Sequence, residues 1–181
     1  MIEALREYAI KNNIPIIKPQ AEQVLINYLN KYKPLNAVEI WTAIWYSSLI
    51  IAKQISKRDG KLTTFEISYQ SYIEALTNFY KFQQYNITVY NVDPLSINLK
   101  NIFCNKKINF LFIDATMKLY LDFYLKFEDL LESNAVILLD NVIKFRSKLK
   151  ALYEFLEKNQ INYKIYFVSP NDWIMVFNKP T

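Results

Sequence analysis

After Pro34 the sequence alternates short runs rich in β-branched and aromatic residues with longer segments of helical spacing. A strict alternation of strand and helix predicts right-handed crossovers and a parallel sheet that is covered by helices on both faces. The predicted strands are 37–40, 62–65, 87–90, 110–113, 136–139, 163–168 and 174–177, and the predicted helices are 2–11, 19–32, 45–57, 69–84, 95–103, 118–132 and 146–159. The last two strands are joined by a short turn, which predicts an antiparallel hairpin at the edge of the sheet.

Length and composition limit the possible classes of protein. A chain of 181 residues, 52% of them hydrophobic, is long enough for one well-buried domain and short for two, so we predict a single domain over 1–181. No apolar run approaches the roughly 20 residues that span a bilayer, and the N-terminus lacks the apolar core of a signal peptide. We therefore expect a cytoplasmic protein with no membrane partner.

The chain contains one cysteine, Cys104, and no histidine. This excludes an internal disulfide, a multi-cysteine zinc site and the commonest general base. Any chemistry must therefore use carboxylates, amides, lysines, hydroxyls or a cofactor.

Oxygen-bearing side chains follow two neighbouring strands of the predicted sheet. Asp114 ends the fourth strand, and Asp140 and Asn141 end the fifth. Because parallel strands end at one margin of a sheet, two carboxylates and an amide oxygen should meet there, a donor set that suits a partly hydrated Mg²⁺. The alternative is that these residues only cap the helices that follow.

Two further acidic residues follow the second and third strands. Glu66 lies where a carboxylate can accept hydrogen bonds from both ribose hydroxyls of a bound adenosine, and Asp93 could approach the adenine. The alternative for Glu66 is a solvated carboxylate at a strand terminus, and a turn before Pro94 explains Asp93 equally well.

Residues 38–48 have the pattern of a nucleotide-binding strand, turn and helix, but Trp41 and Trp45 stand where such a turn needs glycine. The whole chain has one glycine, Gly60. A tryptophan in the cofactor turn would occupy space that the ligand needs and would strain the backbone.

The net charge is +5, and Lys144, Arg146, Lys148 and Lys150 form a basic cluster at the start of the last helix. Cations oppose the helix dipole at that end, so phosphate contacts are one explanation. An ordinary solvated helix face is the other.

Motifs occur along nearly the whole chain, in residues 7–9, 14–16, Pro19, Glu22, 38–40, 46–47, Glu66, 112–115, Tyr120, 140–142 and Asp172. They resemble those of the class I S-adenosylmethionine-dependent O-methyltransferases of the catechol and caffeoyl-CoA type, and among them the bacterial enzymes that methylate 5-hydroxyuridine at the tRNA wobble position. The resemblance implies a Rossmann-like, seven-stranded, mostly parallel sheet with a C-terminal antiparallel hairpin. It also implies that the N-terminal helices in 1–33 cover the active site.

The resemblance assigns roles to the candidate residues. Glu39 and Ser47 would hold the methionine part of S-adenosylmethionine, with Trp41 in the cofactor turn, and Glu66 and Asp93 would hold its nucleoside. The metal would be held by Asp114, Asp140 and Asn141. Asp114 would also contact the cofactor and act as a catalytic residue. The expected partner is tRNA, with a small catechol-like substrate or a catalytically silent binding protein as alternatives. A homodimer is also possible.

The chain departs from the family in ways that matter for the site. Met117 stands where the family has a lysine that is a candidate base, so Lys118 is the substitute we predict. The segment after Asn141 is shorter than usual. All three tryptophans, at 41, 45 and 173, coincide with family glycines. The composition is rich in Lys, Asn, Ile, Tyr and Phe, as in AT-rich genomes that often reassign UGA, so we hypothesise UGA codons that the source organism reads as glycine.

Overall fold

The computed structural model describes residues 2–12, 14, 16–43, 45–104, 106–142, 146–170 and 172–181. The helices in these ranges are α1 (Ile2–Lys11), α2 (Pro19–Tyr32), α3 (Tyr46–Ser56), α4 (Tyr69–Lys81), α5 (Lys100–Phe103), α6 (Tyr120–Glu128) and α7 (Lys150–Lys158). The strands are β1 (Asn36–Ile40), β2 (Lys61–Phe65), β3 (Ile87–Tyr90), β4 (Ile108–Ile113), β5 (Leu131–Leu139), β6 (Tyr163–Ser169) and β7 (Asp172–Asn178). None of the described helices is long and apolar enough to cross a bilayer.

The strands form one sheet in the order β3-β2-β1-β4-β5-β7-β6. The first five strands pair in parallel, while β7 runs antiparallel to both β5 and β6. The predicted Rossmann-like α/β architecture is confirmed, and so is the C-terminal hairpin, with β6 at the edge and β7 beside β5. The strand order changes direction between β1 and β4, where open α/β sheets bind their ligands.

Apolar side chains pack on both faces of the sheet. Phe110 and Phe112 of β4 belong to the core that includes α2 and α3, whereas Leu111 and Ile113 belong to the core that includes α6 and α7. Successive side chains of a strand point to opposite faces, so a strand buried on both sides needs a continuous apolar run. This requirement explains the near absence of polar residues in β4.

The helix predicted at 95–103 is wrong as a single element. The structure has a short 3₁₀ turn at Pro94–Ser96 and then α5, with Ile97 extended between them. Local capping explains the break, because the Asp93 carboxylate accepts the Leu95 N–H at 2.9 Å and thereby starts a separate turn.

The helix predicted at 118–132 is also too long. It begins as a 3₁₀ turn at Met117–Leu119, continues as α6, and ends at Glu128. Leu131 instead pairs with Ile108 in the sheet, so β5 begins well before the predicted strand at 136–139. Pairing with a neighbouring strand overrides the local helical pattern at this point.

Candidate active site

The carboxyl ends of β4 and β5 bring the predicted metal ligands together. Asp114 follows β4, and Asp140 and Asn141 follow β5, its parallel neighbour. The Asn141 side chain donates to Asp140 Oδ2 at 2.9 Å and also hydrogen-bonds to Asp114. Asn141 links the two carboxylates from a left-handed backbone with φ of 57°.

Burial makes this carboxylate pair electrostatically unfavourable. The pKa of Asp114 is raised to about 6 by burial and by the charge of Asp172, although the Asn141 hydrogen bond opposes the rise. Burial and the charges of Asp114 and Asp172 also raise the pKa of Asp140 well above its usual value. The buried Asp140 Oδ1 has no hydrogen-bond partner among the described residues. Both facts favour a cation at this place, because it would satisfy the free oxygen and relieve the repulsion.

Asp172 and Lys18 are site residues to which the sequence reasoning assigned no role. Lys18 Nζ lies 3.0 Å from Asp172 Oδ2 and 2.7 Å from Ser169 Oγ. Within the described ranges, no three side chains of His, Cys, Asp or Glu converge closely enough to hold a metal ion. Asp172 affects Asp114 and Asp140 through its charge. The predicted metal ligands remain the two carboxylates of Asp114 and Asp140 and the amide of Asn141.

A cleft lies beside this margin. It has a volume of about 100 Å³ and is lined by Ile40, Trp41, Phe65, Ile67, Asp93, Pro94, Ala115, Thr116, Leu119 and Phe123. Asp93 lines this cleft, and its approach to an adenine remains a prediction. The apolar walls, Ile67 and Phe123 among them, were not predicted; Ile67 lies just after β2, whereas Phe123 lies within α6. The cleft is small compared with ligand pockets of roughly 300–1,000 Å³, and Trp41 lines it.

Glu66 is buried below the turn that follows β1. Its carboxylate accepts the Ala43 and Ser68 N–H groups, each at 2.8 Å. Burial raises its pKa, and these backbone hydrogen bonds oppose the rise. Glu66 therefore orders the loop and the start of α4 in this structure, and its ribose contact remains a prediction.

Glu39 is fully buried in β1 and is held by hydroxyl groups. Ser48 and Thr64 donate to Oε2, the latter at 3.1 Å, and Ser47 also hydrogen-bonds to the carboxylate. Burial raises the pKa of Glu39 to about 7, and the hydroxyl hydrogen bonds oppose the rise. Glu39 Oε1 has no partner among the described residues, so it is available to an ammonium group.

The turn after β1 forces tryptophan into glycine-like backbone conformations. Trp41 has φ of 79° and Trp45 has φ of 106°. Such angles are outliers for bulky residues and cost about 1–3 kcal/mol each. Trp45 is buried between Tyr8 and Phe82, and its indole N–H has no partner in the described structure, nor has that of Trp173.

The predicted Lys118 and the described residues of the basic cluster lie at the surface. Lys118 is exposed and makes no hydrogen bond or ion pair with any described residue. Lys150 is exposed and lies 3.6 Å from Glu154. Arg146 lies over the Tyr153 ring, and Lys144 falls outside the described residues.

The N-terminal helices contact the start of α3 beside the cofactor turn. Arg6 of α1 hydrogen-bonds to Glu22 of α2, and its Nε donates to the Tyr46 hydroxyl at 3.1 Å. Tyr46 in turn donates to Glu22 Oε2 at 2.8 Å. This triad joins both N-terminal helices to the segment that was predicted to hold the cofactor.

Comparison with known proteins places the chain in a class. The fold is a Rossmann-like α/β sheet, and acidic side chains follow β4 and β5 at one of its margins. The O-methyltransferase family profile matches residues 1–167, so the chain belongs to the O-methyltransferase family. The predicted enzyme class is confirmed.

Solved structures share the fold at low sequence identity. A Staphylococcus aureus protein described as a caffeoyl-CoA O-methyltransferase superposes with a TM-score of 0.84 at 20% identity, covering 98% of this chain and 91% of that one. An O-methyltransferase from Bacillus cereus, in complex with S-adenosylhomocysteine, gives 0.84 at 19%, with coverages of 98% and 90%. TomG from Streptomyces achromogenes, involved in tomaymycin synthesis and solved with S-adenosylmethionine, gives 0.82 at 15%, with 98% and 89%.

Proposed function

We propose that this O-methyltransferase transfers a methyl group from S-adenosylmethionine to a hydroxyl oxygen in a metal-dependent reaction, with 5-hydroxyuridine at the tRNA wobble position as the substrate. The observation that carries the proposal is the meeting of Asp114, Asp140 and Asn141 beside the apolar cleft. The cofactors in the structures from Bacillus cereus and Streptomyces achromogenes support the choice of methyl donor.

The chain's own groups suit the parts of that donor. The free oxygen of Glu39 can accept from the methionine ammonium group, with Ser47 beside it. The apolar cleft between Ile67 and Phe123 suits an adenine ring, and Asp93 lines its edge. Glu66 would exchange one of its backbone partners for the ribose hydroxyls.

Asp114, Asp140 and Asn141 would hold a divalent cation, for which Mg²⁺ suits the oxygen donors. Such an ion supplies Lewis acidity that lowers the pKa of a bound hydroxyl. By holding the ion, these three residues would fix the position of the substrate hydroxyl relative to the methyl donor. Such orientation can supply a large part of the rate acceleration. Lys118 is proposed as the proton acceptor.

We also propose that residues 41, 45 and 173 are glycine in the protein made by its source organism. Two of these positions have backbone angles that favour glycine, and two carry a buried indole N–H without a described partner. Glycine at 41 would enlarge the cleft that Trp41 now lines. UGG codons at the three positions would refute this proposal, and UGA codons would support it.

Cofactor binding tests the same proposal in solution. We expect calorimetry to detect no S-adenosylmethionine binding by the tryptophan protein and clear binding after Trp41→Gly and Trp45→Gly. The glycine form loses the contacts of Trp45 with Tyr8 and Phe82, so affinity is measured below its unfolding temperature. Tight binding by the tryptophan protein would contradict the proposal. Lack of binding by both forms favours a catalytically silent binding protein.

The substrate is tested with methyl-labelled cofactor and tRNA that carries 5-hydroxyuridine. We expect label in the tRNA, its loss on addition of a chelator, and its return with Mg²⁺. The same tRNA with unmodified uridine is the matched control. Labelling of a catechol but not of the tRNA would favour the small-molecule alternative, and labelling that survives the chelator would exclude the metal.

A further inference from the structure

A third carboxylate, itself buried, lies next to the proposed metal ligands without belonging to them. Asp172 begins β7 and is 6% exposed. The Val142 N–H donates to the Trp173 carbonyl at 3.0 Å, which holds the start of β7 against the segment after Asn141. Asp172 is close enough to affect both Asp114 and Asp140 electrostatically, and its Oδ1 has no partner among the described residues.

One cation compensates for this charge, and it comes from the opposite end of the chain. Lys18 precedes α2, and its Nζ lies 3.0 Å from Asp172 Oδ2 while donating to Ser169 Oγ at 2.7 Å. The Lys18 side chain is 47% exposed, whereas that of Asp172 is 9% exposed. Lys18 also interacts favourably with the charge of Asp140.

We propose that Lys18 and Asp172 form a charge-setting pair that tunes the affinity of the Asp114, Asp140 and Asn141 site for a divalent cation. Asp172 adds negative charge beside the site, and Lys18 compensates for that charge. The bound ion then interacts mainly with the charges of the two ligand carboxylates. The inference rests on the proposed function, because it requires a cation at that site. Both residues are positioning residues, since neither is placed among the metal ligands.

The proposal predicts opposite effects for the two halves of one ion pair. Removing the lysine charge leaves Asp172 uncompensated, which attracts a divalent ion more strongly. Removing the aspartate charge leaves Lys18 uncompensated, which repels the ion. A purely structural ion pair, tying the segment before α2 to the hairpin, would instead weaken the site whichever partner is lost.

Manganese binding measures this directly and does not depend on turnover. Mn²⁺ is titrated into the full chain at mildly alkaline pH and low ionic strength, and the free ion is followed by electron paramagnetic resonance. We expect Lys18→Met to lower the dissociation constant several-fold and Asp172→Asn to raise it several-fold. The double variant should return close to the starting value, because both charges are then absent.

Control variants separate charge from fold. Lys18→Arg keeps the charge and should leave Mn²⁺ affinity nearly unchanged, and Ser169→Ala removes only the hydroxyl contact and should do the same. Thermal unfolding of each variant verifies that the protein is folded. Weaker binding in both single variants, or unchanged binding in both, would overturn the charge-setting role while leaving the metal site intact. Absence of Mn²⁺ binding in every variant would overturn the metal site itself and this inference with it.

Discussion

At the scale of single residues, several acidic side chains of this protein are buried. Glu39 and Asp140 are almost wholly enclosed, and each has one carboxylate oxygen without a described partner. Buried carboxylates resist ionisation, so their charges are maintained at a cost to stability. The two residues lead to different predictions.

Glu39 should make the stability of the ligand-free protein fall as the pH rises. Its pKa is raised to about 7 in the folded state. In the unfolded chain the pKa of Glu39 is near 4.3. Below that pH its contribution to the stability of the fold is fully present, and this contribution is lost as the pH rises through the higher pKa of the folded state. The expected loss is about 4 kcal/mol in the free energy of unfolding.

Urea unfolding between mildly acidic and mildly alkaline pH measures this loss. Glu39→Gln should remove a large part of the pH dependence, while Glu132→Gln, at an exposed position of β5, should leave it unchanged. Asp114 and Asp140 also have raised pKa values, so some dependence should remain. Equal pH profiles for the Glu39 variant and the unsubstituted protein would contradict the prediction.

Asp140→Ala should abolish turnover while leaving cofactor binding nearly intact. Loss of groups that only orient metal ligands already costs about 10- to 100-fold, so loss of a ligand should cost at least about 100-fold. The measurement compares labelled methyl transfer with calorimetric cofactor affinity in protein with glycine at 41 and 45. Near-normal turnover would refute the assignment of Asp140 as a metal ligand.

At the scale of elements, the N-terminal helices are joined to α3 by polar contacts. The triad of Arg6, Glu22 and Tyr46 connects α1 and α2 to the first turn of α3. Glu22 is buried at the centre of these contacts, so each partner that is lost leaves a poorly satisfied carboxylate.

Arg6→Ala should loosen α1 without unfolding the sheet. Loss of the guanidinium removes the charged hydrogen-bond partner of Glu22. Losing such a hydrogen bond costs about 1–3 kcal/mol. Amide hydrogen exchange should accelerate in α1 and remain slow in β1, β4 and β5. Arg6→Lys retains the charge and should show a smaller effect. Unchanged exchange in α1 would mean that other contacts hold the helix.

At the scale of the whole molecule, the net charge of +5 bears on the proposed tRNA partner. Neutralising Lys148 and Lys150 together should weaken tRNA binding and reduce its salt slope by about 2, because each phosphate contact contributes about one unit. Lys106→Ala with Lys107→Ala, before β4 and hence at the opposite margin of the sheet, is the matched control. An unchanged salt slope would assign Lys148 and Lys150 to an ordinary solvated helix face.

Sedimentation of the same proteins would test the possible homodimer.

Sequence reasoning predicted the fold well because the relevant signals are local. Strand and helix periodicity repeats within a few residues, and the positions of Asp114 and Asp140 at strand ends follow from chain order alone. The prediction was wrong at 95–103, where the Asp93 cap divides the helix, and at 131–132, where pairing of Leu131 with Ile108 extends β5. The first error overlooks a local turn signal, the Asp93 cap before Pro94, whereas the second comes from pairing with another strand, which a local pattern does not contain.

The sequence by itself determined an alternating α/β sheet with oxygen donors at one margin, because side-chain periodicity and chain order fix which strand ends carry them. Only the tertiary structure decided which charges surround those donors. Lys18 and Ser169 are 151 positions apart, yet their contact brings a lysine to Asp172. Such contacts depend on how β7 inserts beside β5 and on where the residue before α2 meets the C-terminal hairpin, and no spacing in the sequence encodes either.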